Sequence, residues 1–431
     1  MKMSKNINIA VIGLGQIGSY VYNELNIKKK DIEIKTGKKI KVVGISAKNK
    51  NKKRKFKINK KIFYSNPLDI LKIKNLDIII EAIGLSDGIS KKIIETALKN
   101  KIHVITPNKA LISKHGDKLG ELAEKNKVNL EFEASVAGGI PIIRTIKEGL
   151  ATNKITKVYG ILNGTCNYIL SEMEKTKDSF VSVLKKAQNL GYAEPGNPKL
   201  DLNGYDALAK IKILSSLAFN KKISKSNCLM EGIENIEFKD IEIANQLNFR
   251  IKLLGITEII KNSVFERVHP CMVNKDSYIG NVSGVMNAVI LNGSPIGESV
   301  LQGEGAGPGP TSSAIMSDLL SILRGNIKFP FGITRTKRQK PKIFNKDISS
   351  NSLYVRLEVK DKPGVLSSIT KIFANHKISI QRIIQIPDSK KKTASIVIIT
   401  HDANELSSQK CIKSFKLNRN IIKNPVLIRL F

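Results

Sequence analysis

The chain has 431 residues, of which 41% are hydrophobic and 25% charged, a composition typical of a globular protein with two or three domains. Its apolar runs are too short to span a bilayer, and its four cysteines lack the spacing of a disulfide framework or a zinc site. The formal charge of +35 attracts polyanions, but lysines are spread along the whole chain and aromatic residues, at 5%, leave little to stack on bases. We therefore expect a cytoplasmic protein with no membrane partner and no nucleic acid partner.

The first predicted unit, residues 1–135, is a dinucleotide-binding domain. An apolar strand, Ile7–Ile12, runs into a GxGxxG turn and then into a helical pattern. In this setting the glycines permit a tight turn and let a pyrophosphate approach the free amides and positive end of the helix. A plain glycine turn between a strand and a helix explains the pattern less well. We predict cofactor contacts along the whole turn, at Gly13, Leu14, Gly15, Gln16, Ile17 and Gly18.

The loop after the second predicted strand indicates which cofactor binds. Where an NAD site usually places an acid on the ribose hydroxyls, this chain has Ala47 and Lys48, followed by Lys52, Lys53 and Arg54. No acid repels a 2′-phosphate here, and several cations could bind it. The sequence therefore favours NADP over NAD, although a solvated lysine loop would look the same.

Later strands of this unit end in further candidate contacts. Gly84 ends an almost continuously apolar strand, which is typical of a buried parallel sheet, and should lie near the cofactor. Lys109 follows the next strand and points into the crevice where doubly wound sheets bind ligands, although strand ends also carry many idle lysines. The strand from Leu130 ends in a turn of small residues, whose bared carbonyls could hold a cation or simply connect two domains.

The second predicted unit, residues 136–325, mixes helical and strand patterns and should form an α+β domain whose sheet also dimerises. A strand turns through Asn163 into a helix, with Thr165 as its predicted N-cap. Strand-like runs are expected near residues 256–260, 265–273 and 277–291. The segment ending at Gly307 precedes a helix that could return to the first unit, and its amides offer a second place for a phosphate or a nicotinamide amide.

Within this unit, residues 191–210 carry the strongest chemical signal. Glu194, Asp201, Asp206 and Lys210 follow one another along a loop and the start of a helix. Asp206 and Lys210 are four residues apart and share one helical face. The flanking residues are small and apolar, so the helix should be buried, and burial lowers the pKa of an ammonium towards neutral pH. From this segment alone, an ordinary ion pair on a solvated face is the simpler interpretation.

The remainder divides into a polar linker at residues 326–350 and a compact module at residues 351–431. The module reads strand, helix, strand, strand, helix, strand, which is the ferredoxin-like order. Pro363 and Gly364 form a turn that leads straight into its first helix. The chain is thus predicted to be α/β, with three folded units.

Taken together, these motifs resemble homoserine dehydrogenase of the long form that ends in an ACT regulatory domain. The matching segments lie in family order and span nearly the whole chain: GLGQIG, TPNKA, EASVAGGIP, GILNGTCNYIL, GYAE followed by DLNGYDALAK, GEGAGPGPT and DKPGVL. The resemblance implies a Rossmann-like domain, an α+β catalytic and dimerisation domain and a ferredoxin-like ACT domain. It also implies NAD(P)-dependent interconversion of L-homoserine and L-aspartate 4-semialdehyde, towards threonine, methionine and isoleucine.

The resemblance further implies roles for individual residues. Lys210 would exchange a proton with the substrate oxygen, and Lys109 would lie near the nicotinamide and the substrate. Glu194 and Asp206 would hold the amino end of homoserine, with Asp201 as a neighbouring acid. The backbone carbonyls of Glu133, Val136, Gly138 and Ile140 match a sodium site. Besides the glycine turn, cofactor contacts are expected at Lys48, Gly84, Lys109, Gly191 and Gly307.

ACT modules resemble one another as amino-acid sensors that pair their sheets. We therefore expect a homodimer or homotetramer and feedback inhibition by threonine bound near Gly364, although a module that only cements the oligomer would show the same sequence. There are two alternative functions: a dehydrogenase of another amino-acid semialdehyde, and a basic nucleic-acid-binding regulator on a Rossmann scaffold. The regulator is disfavoured because the acids of residues 191–210 serve no purpose on a phosphate backbone.

Overall fold

The structure, a computed structural model, describes residues 6–325, 327–388 and 390–431. The first five residues of the predicted dinucleotide unit, residue 326 of the predicted linker and residue 389 of the C-terminal module lie outside the described residues. The architecture is α/β, as predicted: a parallel sheet with helices on both faces precedes a long mixed sheet that runs through the rest of the chain.

The strands of the first unit form a doubly wound parallel sheet. They are β1 (Ile7–Ile12), β2 (Ile40–Ser46), β3 (Phe63–Tyr64), β4 (Ile78–Glu81), β5 (His103–Ile105) and β6 (Leu130–Glu131). Their order across the sheet is β3-β2-β1-β4-β5-β6, so the two halves wind outwards from the neighbours β1 and β4. Ligands of such sheets bind in the crevice at the carboxyl ends of these two strands.

Helices cover both faces of this sheet. They are α1 (Gln16–Ile27), α2 (Lys29–Thr36), α3 (Ile89–Lys99) and α4 (Lys109–Asn126). Alternate residues of β1 point to opposite faces, so that Ala10 and Ile12 join the core under α3 and α4 while Ile9 and Val11 join the core under α1. The lysine-rich insertion before β2 is α2, which buries only Ile32 among its residues.

The second unit is built on a sheet whose strands pair antiparallel, except for one short strand that pairs in parallel. Its strands are β7 (Lys154–Ile161), β8 (Leu229–Met230), β9 (Phe249–Ile260), β10 (Ser263–Asn274), β11 (Met286–Ser294) and β12 (Gly297–Glu304). Its helices are α5 (Ile142–Arg144), α6 (Gly164–Thr176), α7 (Phe180–Asn189), α8 (Lys199–Leu202), α9 (Tyr205–Ala218), α10 (Phe238–Gln246) and α11 (Pro308–Leu323). Helices α6, α9 and α10 pack on β9, and α11 packs against α1, so this helix does return to the first unit.

Several predicted boundaries were wrong. The strand from Leu130 is only two residues long, because the chain turns at Glu133, whose amide donates to Asp318 Oδ2 of α11 at 3.0 Å. The run predicted from residue 277 begins as a turn and becomes a strand only at Met286. Helix α6 is capped by the Asn163 side chain, which accepts from the Cys166 amide, and not by Thr165.

The C-terminal module has the predicted ferredoxin-like order. Its elements are β13 (Ser350–Asn351), β14 (Leu353–Lys360), α12 (Val365–Asn375), β15 (Ile380–Asp388), β16 (Thr393–Thr400), β17 (Ala403–Asn404), α13 (Glu405–Leu417) and β18 (Val426–Leu430). Strand β18 pairs in parallel with β10, where Cys271 faces Arg429 and Met272 faces Leu430. The module therefore continues the sheet of the second unit, in the order β12-β11-β7-β9-β10-β18-β14-β16-β15.

The predicted polar linker is packed onto the protein along much of its length. We call residues 329–344 the strap. Phe331 and Arg338 of the strap are buried, and the amide of Val264 donates to the carbonyl of Lys342 at 2.7 Å. The segment predicted as a polar linker thus makes tertiary contacts through two inward-facing residues, which its charged composition did not indicate.

Within residues 6–325, 327–388 and 390–431, every helix is either too short or too polar to cross a lipid bilayer.

Candidate functional site

A cleft of about 630 Å³ lies between the glycine turn of the first unit and the second unit. Its walls come from the starts of α1, α4 and α6, the turn after β6, the segment leading into α9, and the turn after β12. The predicted site residues that line it are Gln16, Ile17, Lys109, Gly138, Gly191, Asp201, Asp206, Lys210 and Gly307. Residues that the sequence scatters over most of the chain are thus brought to one cavity.

Asp206 lies at the centre of a charged cluster in this cleft. Its Oδ1 is 2.6 Å from Lys109 Nζ, and its Oδ2 is 2.8 Å from Lys210 Nζ. Lys210 also donates to the carbonyl of Leu162 at 2.6 Å. The ion pair predicted from the four-residue spacing is therefore present, but it is buried and not on a solvated face. Because Lys109 belongs to the first unit, the cluster forms only where the two units meet.

Asn163 connects this cluster to Asp201 and was not predicted as a site residue. Its Nδ2 donates to Asp201 Oδ1 at 2.7 Å and to Asp206 Oδ2 at 2.9 Å, while its Oδ1 accepts from the Cys166 amide. One amide thus caps α6 and holds two carboxylates close together. The sequence signal was an Asn three residues before the first buried residue of a helix, which is an N-cap pattern, but nothing local indicated the carboxylates.

The neighbours of each group determine the direction of its pKa shift. Burial lowers the pKa of Lys210, and the charge of Lys109 lowers it further, so that the opposing effect of Asp206 does not restore the ordinary value. Burial also opposes the charge of Lys109, but there the carboxylates of Asp206 and Asp201 prevail and the pKa is raised. Burial would raise the pKa of Asp206, yet Lys210 and Lys109 hold it well below its usual range. The pKa values of the two lysines are therefore shifted in opposite directions, that of Lys210 downwards and that of Lys109 upwards.

The glycine turn after β1 has the shape that a dinucleotide requires. Gly13 has a φ of +98°, and a Cβ there would lie 2.6 Å from the carbonyl carbon of Ala82. A Cβ at Gly18 would lie 1.8 Å from the carbonyl oxygen of Gly13, so both glycines are needed for close packing. At Gly15, the N-cap of α1, a Cβ would meet no atom of the described chain within 4 Å. The open side of the turn can therefore receive a pyrophosphate at the helix N-terminus.

The N-terminus of α11 is a poorer anion site than predicted. Gly307 has a φ of +106° and lines the cleft, but Pro308 and Pro310 in the first turn carry no N–H group. The amide of Thr311 already donates to the carbonyl of Gly307 at 3.2 Å. This turn can therefore offer fewer donors to a ligand than the start of α1.

The carbonyl turn after β6 is sharply bent. Ala137 and Gly138 have φ values of +54° and +49°, and the Gly139 amide donates to the carbonyl of Glu304 at 3.0 Å. The carbonyls of Glu133 and Ile140 accept from nearby amides, at 3.3 and 2.8 Å, and each oxygen keeps a second lone pair. In the described part of the chain, no three His, Cys, Asp or Glu side chains are grouped to hold a metal. A cation in this turn would depend on backbone oxygens.

Ten predicted site residues lie outside the cleft lining, among them Glu194, Lys48 and Gly84. Glu194 is exposed on the loop before α8, where its carbonyl accepts from Gln188 Nε2 at 3.1 Å. Lys48 is exposed just after β2, and Gly84 follows β4 with a φ of +92° and open space around it. Their predicted roles stay predictions.

Arg54 has a structural role that the sequence did not show. Its guanidinium donates to the carbonyls of Asn49 and Lys52 at 2.7 and 3.0 Å, and its Nε donates to the carbonyl of Leu14 in the glycine turn at 3.3 Å. Arg54 thus joins the lysine-rich loop to the glycine turn, and Lys48 in the same loop is exposed to solvent.

Comparisons with known proteins agree over nearly the whole chain. Family models match residues 13–133 (homoserine dehydrogenase, NAD binding domain), 141–320 (homoserine dehydrogenase) and 353–413 (ACT domain). The homoserine dehydrogenase of Neisseria gonorrhoeae is 37% identical over 432 residues, which cover 99% of each chain. That of Helicobacter pylori is 37% identical over 436 residues, 99% of this chain and all of its own. The crystal structure of a homoserine dehydrogenase from Thiobacillus denitrificans has a TM-score of 0.90 at 33% identity, covering 100% of this chain and 99% of that one.

Proposed function

This chain belongs to the homoserine dehydrogenase family, and we propose that Lys210 is the general acid and base of its reaction. The enzyme interconverts L-homoserine and L-aspartate 4-semialdehyde with a nicotinamide dinucleotide, and so acts on a CH–OH group. The observation that carries the proposal is the buried Lys210 ammonium, which lines the cofactor cleft and lies 2.8 Å from Asp206. No other lysine of the described residues combines a place in this cleft with a lowered pKa.

In the reducing direction, Lys210 donates its proton to the aldehyde oxygen, and in the oxidising direction the neutral amine accepts the hydroxyl proton. When bound, the cofactor supplies the hydride chemistry, and its pyrophosphate would lie on the glycine turn around Gly15. A positioned proton donor of this kind contributes about 10²–10⁴-fold to the rate. The Lys210 ammonium donates one hydrogen bond to Asp206 and a second to the Leu162 carbonyl, and the two bonds fix its orientation.

Lys109 supports the same step through its charge. It keeps its proton because Asp206 and Asp201 outweigh the effect of its burial on its pKa. A fixed cation near Lys210 favours release of the Lys210 proton and favours negative charge on the substrate oxygen. The side chain is 42% exposed, on the cleft side, so a substrate can reach its ammonium.

We assign the amino end of homoserine to the carboxylates of Asp206 and Asp201. Asn163 holds the two side by side, and burial together with the charge of Asp206 raises the pKa of Asp201. A substrate ammonium would stabilise the charged form of Asp201. Glu194, predicted as a further contact of this amino group, is exposed on the loop before α8 and lies outside the cleft lining.

We expect NADPH to be preferred over NADH, and Lys48→Ala to remove much of that preference. Lys48 is exposed in a loop that Arg54 joins to the glycine turn, so its ammonium is free to bind a 2′-phosphate. A charge-assisted hydrogen bond contributes about 1.5–3 kcal/mol, so kcat/KM for NADPH should fall by about 10-fold or more while that for NADH is unchanged. The matched control is Lys35→Ala, which removes an exposed lysine on α2. Equal kcat/KM values for the two cofactors in the wild type would contradict the proposal.

We also propose a sodium ion at the turn of Glu133, Val136, Gly138 and Ile140, supported by the bent backbone and the free lone pairs described above. Activity measured in sodium chloride and in tetramethylammonium chloride at equal ionic strength would decide this. Identical rates and identical thermal unfolding in the two salts would exclude a structural sodium ion.

For the C-terminal module, we propose that threonine binds near Gly364 and inhibits the enzyme. The ACT family model covers residues 353–413, and Gly364 caps α12 with a φ of +86° and open space on its Cβ side. Gly364→Ala places a Cβ in this left-handed turn, which costs about 1–2 kcal/mol locally. We expect threonine inhibition to weaken at least several-fold while kcat without threonine is unchanged. Inhibition curves that coincide for the wild type and the variant would argue against this site.

We further propose a homodimer or homotetramer in the cytoplasm, with the unit boundaries at residues 135, 325 and 350 kept as predicted. Within the described chain, β15 pairs with β16 alone, and Arg382 and Ile383 on β15 are exposed, so this edge is open for pairing with a second copy. All four cysteines are free thiols, as expected in a reducing compartment. Light scattering of the purified protein would test the oligomer, and a monomer at micromolar concentration would contradict it.

The direct assay is oxidation of NADPH with L-aspartate 4-semialdehyde, with other amino-acid semialdehydes as comparators. The proposal requires the highest kcat/KM for the four-carbon substrate. A higher value for a longer semialdehyde would favour the alternative substrate class. Salt-sensitive binding of duplex DNA together with no dehydrogenase activity would point to the nucleic-acid alternative.

A further inference from the structure

The strap, residues 329–344, is inserted against α4 through a slot made of glycines. Gly116 and Gly120 lie one turn apart on α4, and the Phe331 ring fills the space beside them. A Cβ at Gly116 would lie 2.9 Å from Phe331 Cζ, and one at Gly120 would lie 3.2 Å from Phe331 Cε2. Glycine inside a helix is less favourable than alanine by about 1 kcal/mol. The two glycines that make room for Phe331 therefore lower the intrinsic stability of α4.

Arg338 of the strap connects α4 to α9. Its guanidinium stacks on the Phe331 ring at 3.9 Å from the ring centre. Its Nη2 lies 2.8 Å from Asp117 Oδ1 on α4 and donates to Ser216 Oγ on α9 at 2.6 Å. Only 5% of the residue is exposed. A planar, always charged group of this kind can hold partners on two helices at a fixed separation, which a flexible lysine cannot do as well.

The same two helices carry the charged cluster of the cleft. Helix α4 begins at Lys109, and α9 carries Asp206 and Lys210 in its first half. The two helices pack against each other, with the contact between Lys109 and Asp206 near their N-termini and the contacts of Arg338 further along both. Because both contacts join the same pair of packed helices, we expect a change in helix separation at one contact to alter the separation at the other.

We propose that Arg338 is a positioning residue: by holding α4 against α9, it keeps the Lys109 ammonium at Asp206 and so maintains the charge environment in which Lys210 exchanges its proton. This inference rests on the proposed role of Lys210. The strap also continues towards the C-terminal module, because Phe344 donates to the carbonyl of Val264 at 2.9 Å and β13 then pairs with β17. Arg338 therefore lies on the covalent path between that module and the cleft.

The charged groups around Lys210 give the direction of the expected change. Asp206 on its own helix raises the pKa of Lys210, as does Asp201 on α8, while Lys109 on α4 lowers it. Glu304 also lines the cleft. If α4 moves away from α9, the Lys109 ammonium no longer repels the Lys210 ammonium. The Asp206 carboxylate then interacts more strongly with Lys210. The pKa of Lys210 then rises, and reduction, which needs the charged amine, persists to higher pH.

The test compares pH profiles of kcat in the reducing direction for Arg338→Met, Arg338→Lys, Lys109→Met and the double variant Arg338→Met with Lys109→Met. The alkaline limb of the profile is the pH range in which kcat falls because Lys210 loses its proton. We expect Lys109→Met to move this limb to higher pH by about 1 unit, and Arg338→Met to move it in the same direction by a smaller amount. Arg338→Met should also lower kcat by about 10-fold, the effect of a slightly misplaced catalytic group. For Arg338→Lys, both kcat and the position of the alkaline limb should lie between those of the wild type and of Arg338→Met. The double variant should have the limb of Lys109→Met alone.

Arg335→Met is the matched control, because Arg335 lies in the same strap and carries the same charge but has an exposed side chain. Circular dichroism and thermal unfolding verify that each variant is folded, and Arg338→Lys keeps the test open should Arg338→Met fail to fold. A lower kcat with an unmoved limb in folded Arg338→Met, or an equal shift in Arg335→Met, would overturn the inference. An unmoved limb in Lys109→Met would overturn the proposed role of Lys210 as well, which separates the two failures.

Discussion

Lys210→Ala should lower kcat for reduction of L-aspartate 4-semialdehyde by about 10²–10⁴-fold, the usual contribution of a positioned general acid. The fold should tolerate this change, because Asp206 keeps its ion pair with Lys109 at 2.6 Å and its hydrogen bond from Asn163. The predicted pyrophosphate site is the glycine turn of the first unit, which this change leaves intact, so the dissociation constant of NADPH should change little. Single-turnover kinetics and fluorescence titration of NADPH would measure the two effects separately.

Lys210→Arg distinguishes proton transfer from simple charge stabilisation. An arginine keeps the positive charge but cannot release a proton in the accessible pH range. If Lys210 acts as general acid and base, Lys210→Arg should be nearly as slow as Lys210→Ala, and near-native turnover in either variant would refute the assignment. In the wild type, burial and Lys109 lower the Lys210 pKa, so reduction should slow and oxidation should accelerate as pH rises through that value.

Asp240→Ala should destabilise the protein by about 3–5 kcal/mol, the cost of breaking a buried ion pair from one side. Asp240, on α10, is fully buried and binds Arg356 of β14 through two hydrogen bonds, from Nε at 2.6 Å and from Nη2 at 3.0 Å. The Tyr354 hydroxyl also donates to it at 2.8 Å. Without Asp240, the Arg356 guanidinium stays buried with Glu358 as its nearest remaining carboxylate, at 3.0 Å.

Because Asp240 belongs to the second unit and Arg356 to the C-terminal module, the lost stability should appear at their interface. Urea unfolding monitored by circular dichroism gives the free energy, and hydrogen exchange of β14 amides locates the change. Lys423→Ala is the control: it removes an ion pair to Glu237 at the same interface, but both side chains are about half exposed, so the change should be much smaller. Equal effects of the two substitutions would mean that Arg356 does not depend on Asp240.

A second buried arginine limits how far the module can detach. Arg429 of β18 binds Glu231 of the second unit and Glu405 of α13, with Nη–Oε separations of 2.6 to 3.0 Å. Arg429 is itself one of the residues of β18 that pair with β10. The module is therefore attached by a strand pairing and two buried ion networks, which is why removal of the whole module would be a poor test of regulation.

Local patterns in the sequence determined the elements of the fold and half of the charged cluster. The alternation of β1, the glycines after it and the helical pattern that follows depend on neighbours within a few residues, so strand, turn and helix were predicted correctly. The spacing of Asp206 and Lys210 likewise fixed their contact, because residues four apart on a helix face the same way. Motifs in family order then gave the activity, which the comparisons confirm.

Tertiary structure alone decided which distant residues complete the site and how the units are joined. Lys109 reaches Asp206 only because the first unit packs against the second, and Asn163 reaches it from 43 residues earlier in the second unit, so no local periodicity encodes either contact. The same holds for the pairing of β18 with β10 and for Arg338, which the sequence placed in a polar linker although its partners lie on α4 and α9. From the sequence alone, a charged side chain is predicted to be exposed, because it has a high affinity for water. Its burial becomes favourable when the folded chain supplies the opposite charge, which is a property of the whole structure.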